Sequence, residues 1–222
     1  EQGLNGAGWA KKITGLPTIT VGSVGLSGDF IKAFQGEGSG TRSLDDLEER
    51  LLSDLVDLAL LPRQSSSSLR SSTTLYQESL YYIPPQAGIG HPDQKTVSVS
   101  DLENQPIILT SGCGLSDVIA DLFRAEKTTL NRYPGQALSY AVVAEWAALG
   151  IAGGILPLSK IPDGPVLSVP LVTGSGGSAS VFYEAAWNPD SPEGDLVQQS
   201  LSCITEATSS LSDSLQKPAF RV

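Results

Sequence analysis

The segment Ser43–Pro62 constrains this chain more than any other, because its hydrophobic period changes once within a short stretch. Leu44, Leu47, Leu51, Leu52 and Leu55 recur at helical spacing and define one apolar face. Ser43 stands where an N-cap is needed, and Asp45 and Asp46 fall in the first turn, where the helix dipole favours negative charge. The run Val56–Leu61 (VDLALL) is then almost continuously apolar and is stopped by Pro62. A strand buried on both faces reads this way, and such strands belong to parallel sheets covered by helices.

The same hand-over recurs along the chain. Pro106–Thr110 reads as a strand, Gly112-Cys-Gly114 as a loop, and Leu115–Glu126 as a helix. Ala137–Leu149 reads as a helix followed by a buried strand at Gly153–Leu156. Further strands are expected at Thr18–Val24, Phe30–Gln35, Leu75–Ile83, Val97–Val99, Pro165–Leu171 and Ser178–Trp187. Ser100–Asn104 is expected to form a helical turn and Glu193–Leu211 a C-terminal helix. The stretches 36–40 and 64–74 read as loops. Gly174-Ser-Gly-Gly177 lacks the G-K-[ST] ending of a phosphate loop and reads as a hairpin turn.

Alternating strands and helices imply an α/β fold with parallel sheets and helices on both faces. The strands near 75–84 and 178–187 stand where one half of the sequence hands over to the other. Two such crossings give two lobes with a cleft between them. One lobe is expected from residues 18–84 with 187–222 and the other from 85–186, after a linker tail at 1–17.

Composition narrows the function. The formal net charge is −10 and no dense Lys/Arg stripe offsets it, so the chain is not expected to bind DNA by itself. No apolar run reaches the roughly 18 residues of a membrane span. Cys113 and Cys203 form no CxxC pair, and His91 is the only histidine, which excludes zinc sites with several His ligands. No G-x-S-x-G elbow and no pair of carboxylates placed for acid–base work is found, so neither an enzyme nor a cofactor is expected. The cysteine count fits a reducing, cytoplasmic setting, though the two cysteines could also form one disulfide. The chain begins at Glu1 and holds no Met, as expected of a fragment, a processed chain or a sequence with residues missing.

Four segments, in order, resemble the regulatory domain of LysR-type transcription regulators. Leu47–Pro62 (LEERLLSDLVDLALLP) is similar to the family's helix ending in a G-E-L-D-L-A-I strand, with Asp57-Leu-Ala-Leu60 at that place. His91-Pro92, after the strand closed by Pro84-Pro85, is similar to its H-P-L turn. Val97–Leu109 (VSVSDLENQPIIL) and Ala148–Pro157 (ALGIAGGILP) resemble its D-L…P-l-I and a-G-x-G-i-a-l-l-P segments. The resemblance covers about residues 30–200. It implies a type II periplasmic-binding-protein-like fold of two Rossmann-like lobes joined by a two-strand hinge, with a small-molecule effector in the cleft. It also implies a homodimer or tetramer, and DNA contact only through a helix-turn-helix domain not contained in this chain. A solute-binding protein of a transporter has the same fold and is the alternative. Two departures stand out. Thr18–Val24 and Phe30 are too close for the family's intervening helix, and Ala152 stands where the family often has Gly.

In open α/β sheets ligands bind beyond the C-terminal ends of strands, where helix N-termini offer free N–H groups to anions. Two Gly-rich, hydroxyl-bearing loops stand there. One holds Gly40, Thr41 and Arg42 before the leucine helix. The other holds Thr110, Ser111, Gly112, Cys113 and Gly114 before the helix at 115. By the resemblance, Ser23, Pro62 and Arg63 border the cleft, and an organic acid or other small metabolite is the expected effector. Ser43 and Ser116 could instead simply cap helices, and Arg42 and Arg63 could simply be solvated. In the peroxide-sensing branch of the family a reactive cysteine lies in the loop matching Cys113, with a second about nine residues on. Here Ala120–Leu122 occupies that place, so Cys113 is expected to line the pocket or fill space.

Overall fold

The leucine periodicity at 44–55 and the apolar run after it become a helix and a strand, but the helix stops early. In this computed structural model the described residues are 21–23, 44–63, 71–85, 95–163, 166–191 and 194–215. Helix α1 spans Leu44–Leu52. It buries Leu47 and Leu51, while Leu52 and Leu55 stay exposed, so the apolar face is narrower than five leucines suggested. The chain turns because Asp54 takes φ 54°. Leu55 N–H then bonds to Arg50 O at 2.9 Å and Asp54 N–H to Leu51 O at 3.4 Å. These are the paired bonds of a Schellman motif, with Asp in the left-handed position that Gly usually fills.

The same device closes two later helices. Helix α2, Leu115–Ala125, ends at Lys127 (φ 55°), with Thr128 N–H on Phe123 O and Lys127 N–H on Arg124 O. Helix α3, Tyr140–Ala148, ends at Gly150 (φ 74°), with Ile151 N–H on Trp146 O and Gly150 N–H on Ala147 O. Satisfying the last carbonyls this way returns the chain sharply toward the sheet.

The chain divides into two compact units. One holds the described residues up to Gln77, Gly112–Gly114, and those from Phe182 onward; the other holds Glu78–Ser111 and Leu115–Val181. The strands are β1 (Val21–Ser23), β2 (Leu58–Pro62), β3 (Ser71–Ile83), β4 (Val97–Ser98), β5 (Ile107–Thr110), β6 (Arg132–Ala137), β7 (Gly153–Pro157), β8 (Val169–Val172) and β9 (Ser180–Trp187). β3 and β9 each pass from one unit into the other, at Gln77/Glu78 and at Val181/Phe182.

In the first unit β1 runs parallel to β2, with Ser23 opposite Leu60. β2 runs antiparallel to β9, with Ala59 opposite Ala186 and Pro62 opposite Tyr183. The strand order continues to β3. Tyr76 and Tyr183 stack at 4.7 Å between ring centroids. All five residues of β2 are buried, as its unbroken apolar run requires. Helix α4, Gly194–Leu215, buries Val197, Leu201 and Ile204 at helical spacing.

In the second unit the order is β3-β7-β5-β6. β7 and β6 flank β5 in parallel, β3 is antiparallel to β7, and β8 pairs antiparallel with β3 and parallel with β4. Every residue of β5 and β7 is buried. Helix α2 contributes Leu115, Ile119 and Phe123 to the core, and α3 contributes Val143, Ala144 and Ala147. Gly153 and Gly154 are small for a packing reason. A Cβ on Gly153 would meet the Tyr82 ring at 2.5 Å, and one on Gly154 would meet Val143 Cγ1 at 2.4 Å.

The structure corrects the sequence reading in several places. The sheets are mixed rather than parallel, because the crossing strand β9 runs antiparallel to β2 and the crossing strand β3 antiparallel to β7. β6 was not anticipated. Its sequence, RYPGQA, carries Pro and Gly and has little apolar content, as an edge strand permits. β3 begins at Ser71, inside a stretch expected to be loop. Helix α3 starts at Tyr140 rather than Ala137, capped by the Ser139 hydroxyl accepting from Val142 N–H at 3.3 Å. β8 spans Val169–Val172, later than expected. The 174–177 segment is a turn, with Thr173 N–H on Gly177 O at 2.8 Å. The linker tail, Phe30–Gln35, the 36–40 loop, Ser43 and His91-Pro92 lie outside the described residues.

Candidate functional site

β5 delivers the chain to the Thr110–Gly114 turn at the start of α2. Thr110 is buried at the strand end. Its carbonyl accepts a hydrogen bond from the Ser116 hydroxyl. Ser116 therefore ties the helix start to the end of β5. Ser111 N–H bonds to Ala137 O at 3.1 Å, fixing the first residue beyond β5 against the end of β6. Gly112 and Gly114 take φ of 73° and 75°. A side chain at either position would be strained, which is why this turn needs glycine. Cys113, between them, is 5% exposed and is not in a disulfide.

The helix that follows has eleven residues, long enough to present a favourable N-terminal field. Its first-turn N–H groups have no partner within the helix. Asp117 lies in that first turn and is exposed. It complements the helix dipole and weakens the attraction of the same end for an anion. Leu115, Ile119 and Phe123 are all buried beneath, so the turn is carried on a rigid support.

The other candidates are placed separately. Ser23 is the last residue of β1, in register with Leu60. Pro62 ends β2 and is buried; Arg63 follows it. The Arg63 guanidinium is engaged within the first unit. Its Nε lies 3.3 Å from Glu184 Oε2, its Nη2 donates to Thr74 Oγ1, and it lies 5.7 Å from the centroid of the Phe182 ring. Gly40, Thr41 and Arg42 lie outside the described residues.

Three features escaped the sequence reading. Glu184 is buried on β9 and is held by Arg63. Glu78 is fully buried on β3 and accepts Ser159 N–H through Oε1. In a Tyr-rich strand a single Glu reads as facing solvent, and no local pattern distinguishes the buried case. A groove of about 650 Å³ in the first unit, lined by Ser72, Thr73, Trp187, Gln198 and Thr205 among others, was also not anticipated. Its lining residues come from distant segments of the chain. Among the described residues no group of His, Cys, Asp and Glu could hold a metal ion, and no helix is long and apolar enough to cross a membrane.

Comparison with known proteins agrees with this architecture. A cysteine mutant of OxyR from Corynebacterium glutamicum superposes with a TM-score of 0.68 at 19% identity, over 88% of this chain and 65% of that one. The chain thus spans just under two thirds of that protein. The oxidised form of an OxyR gives 0.66 at 16% identity, over 85% of this chain and 94% of the other. The Synechocystis CcmR regulatory domain in complex with 2-PG gives 0.60 at 15% identity, over 82% and 88%. At these identities the likeness is one of fold. No curated protein sequence matches. The family described as the LysR substrate binding domain matches residues 40–209, most of the chain. With the mixed α/β units and their two crossing strands, that match establishes that this chain belongs to the LysR substrate-binding domain family, the effector-binding regulatory domains of LysR-type regulators.

Proposed function

We propose that this regulatory domain takes a small organic acid at the Thr110–Gly114 turn. The observation that carries the reading is the meeting, at one turn, of a buried strand end, two left-handed glycines and the start of a well-anchored helix. Backbone N–H groups freed there bind carboxylates directly, and the glycines let a ligand approach the backbone. The Thr110 and Ser111 hydroxyls add orientation, and Cys113 fills space beside them. Ser23, Gly40, Thr41, Arg42, Pro62 and Arg63 are proposed as further effector contacts.

The residues of this reading bind and orient; they perform no chemical step, and the domain is not an enzyme. We place the two lobes at residues 18–84 with 187–222, and 85–186, with bounds a few residues beyond the points where β3 and β9 pass between the compact units. The domain works as a cytoplasmic dimer or tetramer and reaches DNA through an attached helix-turn-helix domain. An effector shifts such a protein only through unequal affinity for its two states.

A thermal-shift screen of small carboxylates tests the reading, since a ligand that binds only the folded chain raises its unfolding temperature. For a compound that shifts the wild type, Thr110→Ala combined with Ser111→Ala abolishes the shift. An undiminished shift in that variant places the effector elsewhere.

A further inference from the structure

We propose that the groove in the first unit is a second ligand site, separate from the Thr110–Gly114 turn, and that it takes an uncharged sugar. Every lining residue belongs to that unit. Helix α4 presents Gln198, Leu201, Ser202 and Thr205, whose spacings of three and four put them on one helix face. The start of β3 supplies Ser72 and Thr73, and the end of β9 supplies Trp187. The volume of about 650 Å³ falls within the roughly 300–1,000 Å³ of small-molecule sites.

The chemistry of the lining selects the ligand class. Among the described residues no charged side chain lines the groove, so nothing there offsets the desolvation of an ionic ligand. The Ser202 hydroxyl donates to Gln198 O at 3.1 Å, and the Thr205 hydroxyl donates to Leu201 O at 2.8 Å. A hydroxyl has one proton and two lone pairs, so both meet a ligand as acceptors. The matching ligand therefore brings O–H donors. Polar groups reach the groove from α4 and from β3, so the ligand needs polar groups on more than one edge. Trp187 is half-buried and Leu201 is buried, which adds apolar surface. The indole face is electron-rich and suits the C–H-rich face of a pyranose ring. A neutral sugar combines these properties, with hydroxyls around its rim and an apolar ring face. An organic acid, the class proposed for the turn, would bring a charge that this groove does not match.

Saturation-transfer NMR on the whole chain with glucose, galactose, maltose and cellobiose tests this. At least one sugar should receive magnetisation, most strongly at the C–H protons of one ring face. Ser202→Ala removes one acceptor and should weaken that sugar by about five-fold. Ser202→Trp fills the groove from an exposed helix position and should abolish binding, while its urea midpoint shows that the chain still folds. Trp187→Ala should abolish binding too; if it does not fold, Ser202→Trp decides alone. The uronic acid of a sugar that binds should bind more weakly than the neutral sugar. Thr110→Ala with Ser111→Ala should leave sugar binding intact, and Ser202→Trp should leave a carboxylate's thermal shift intact, so failure at either site is separately visible. No transfer to any of the four sugars overturns the proposal. So does binding that survives in folded Ser202→Trp, or a uronic acid that binds as tightly as its neutral parent.

Discussion

Gly154→Ala probes how closely α3 lies on β7. Gly154 pairs with Ile83 on one side and Ile108 on the other, so the strand cannot shift sideways without breaking both ladders. The added Cβ would lie 2.4 Å from Val143 Cγ1. Carbon atoms rest at about 3.5–4.0 Å, so one of the two must give by more than about 1 Å. Val143 is 1% exposed and has almost no room to move. Its branched side chain has one strongly preferred helical rotamer, and leaving it costs about 0.5–1.5 kcal/mol. Overpacking of this kind costs about 1–3 kcal/mol in total. Reduced entropy of the unfolded chain returns about 0.4–1 kcal/mol. The expected net loss is about 1–2 kcal/mol. Val143→Ala alone deletes two methyl groups, a loss of about 1.6 kcal/mol before any cavity term. In the double variant the new methyl at 154 enters the space vacated at 143. The two losses should then fall short of their sum by about 1–2 kcal/mol. Urea denaturation of the four proteins, with m-values held equal, measures this. Additivity within about 0.5 kcal/mol would refute the close approach of α3 to β7.

Three further outcomes follow from two of the site residues. Arg63→Ala should destabilise the chain by about 2 kcal/mol, because it strips a buried Glu184 of a charged partner; the half-exposed position of the arginine keeps the figure below that of a fully buried pair. Arg63→Lys should recover only part of this in the same urea assay, since one ammonium cannot serve both Glu184 and Thr74. Asp117→Asn should tighten an anionic effector by about two- to five-fold at low salt, from the roughly 0.3–1 kcal/mol of a charge at a helix N-terminus. Isothermal titration should show that gain shrinking as salt is raised. An unchanged affinity would separate the effector from this helix end.

Parts of the site were legible because glycine, hydroxyl residues and a following amphipathic helix lie consecutively. Gly112 and Gly114 announced the turn, and their positive φ angles explain why. Leu115, Ile119 and Phe123 announced the buried face of α2. Other features were illegible. Ser116 read as a cap, yet its hydroxyl goes to the carbonyl of Thr110. Arg63 read as a residue at the border of the cleft or as simply solvated, yet Glu184, 121 positions away, engages it.

The sequence by itself determined the strands and helices whose periodicity is local: β2, β5, β7 and the helices α1 to α4. Burial of both faces of a strand, or one face of a helix, is written directly in residue spacing. It also determined helix endings where glycine marks them, as at Gly150. Tertiary structure alone decided that β9 runs antiparallel to β2 and β3 antiparallel to β7, that the polar edge strand β6 pairs at all, and that Glu78 and Glu184 are buried. Those outcomes depend on partners far along the chain, and no local spacing encodes them.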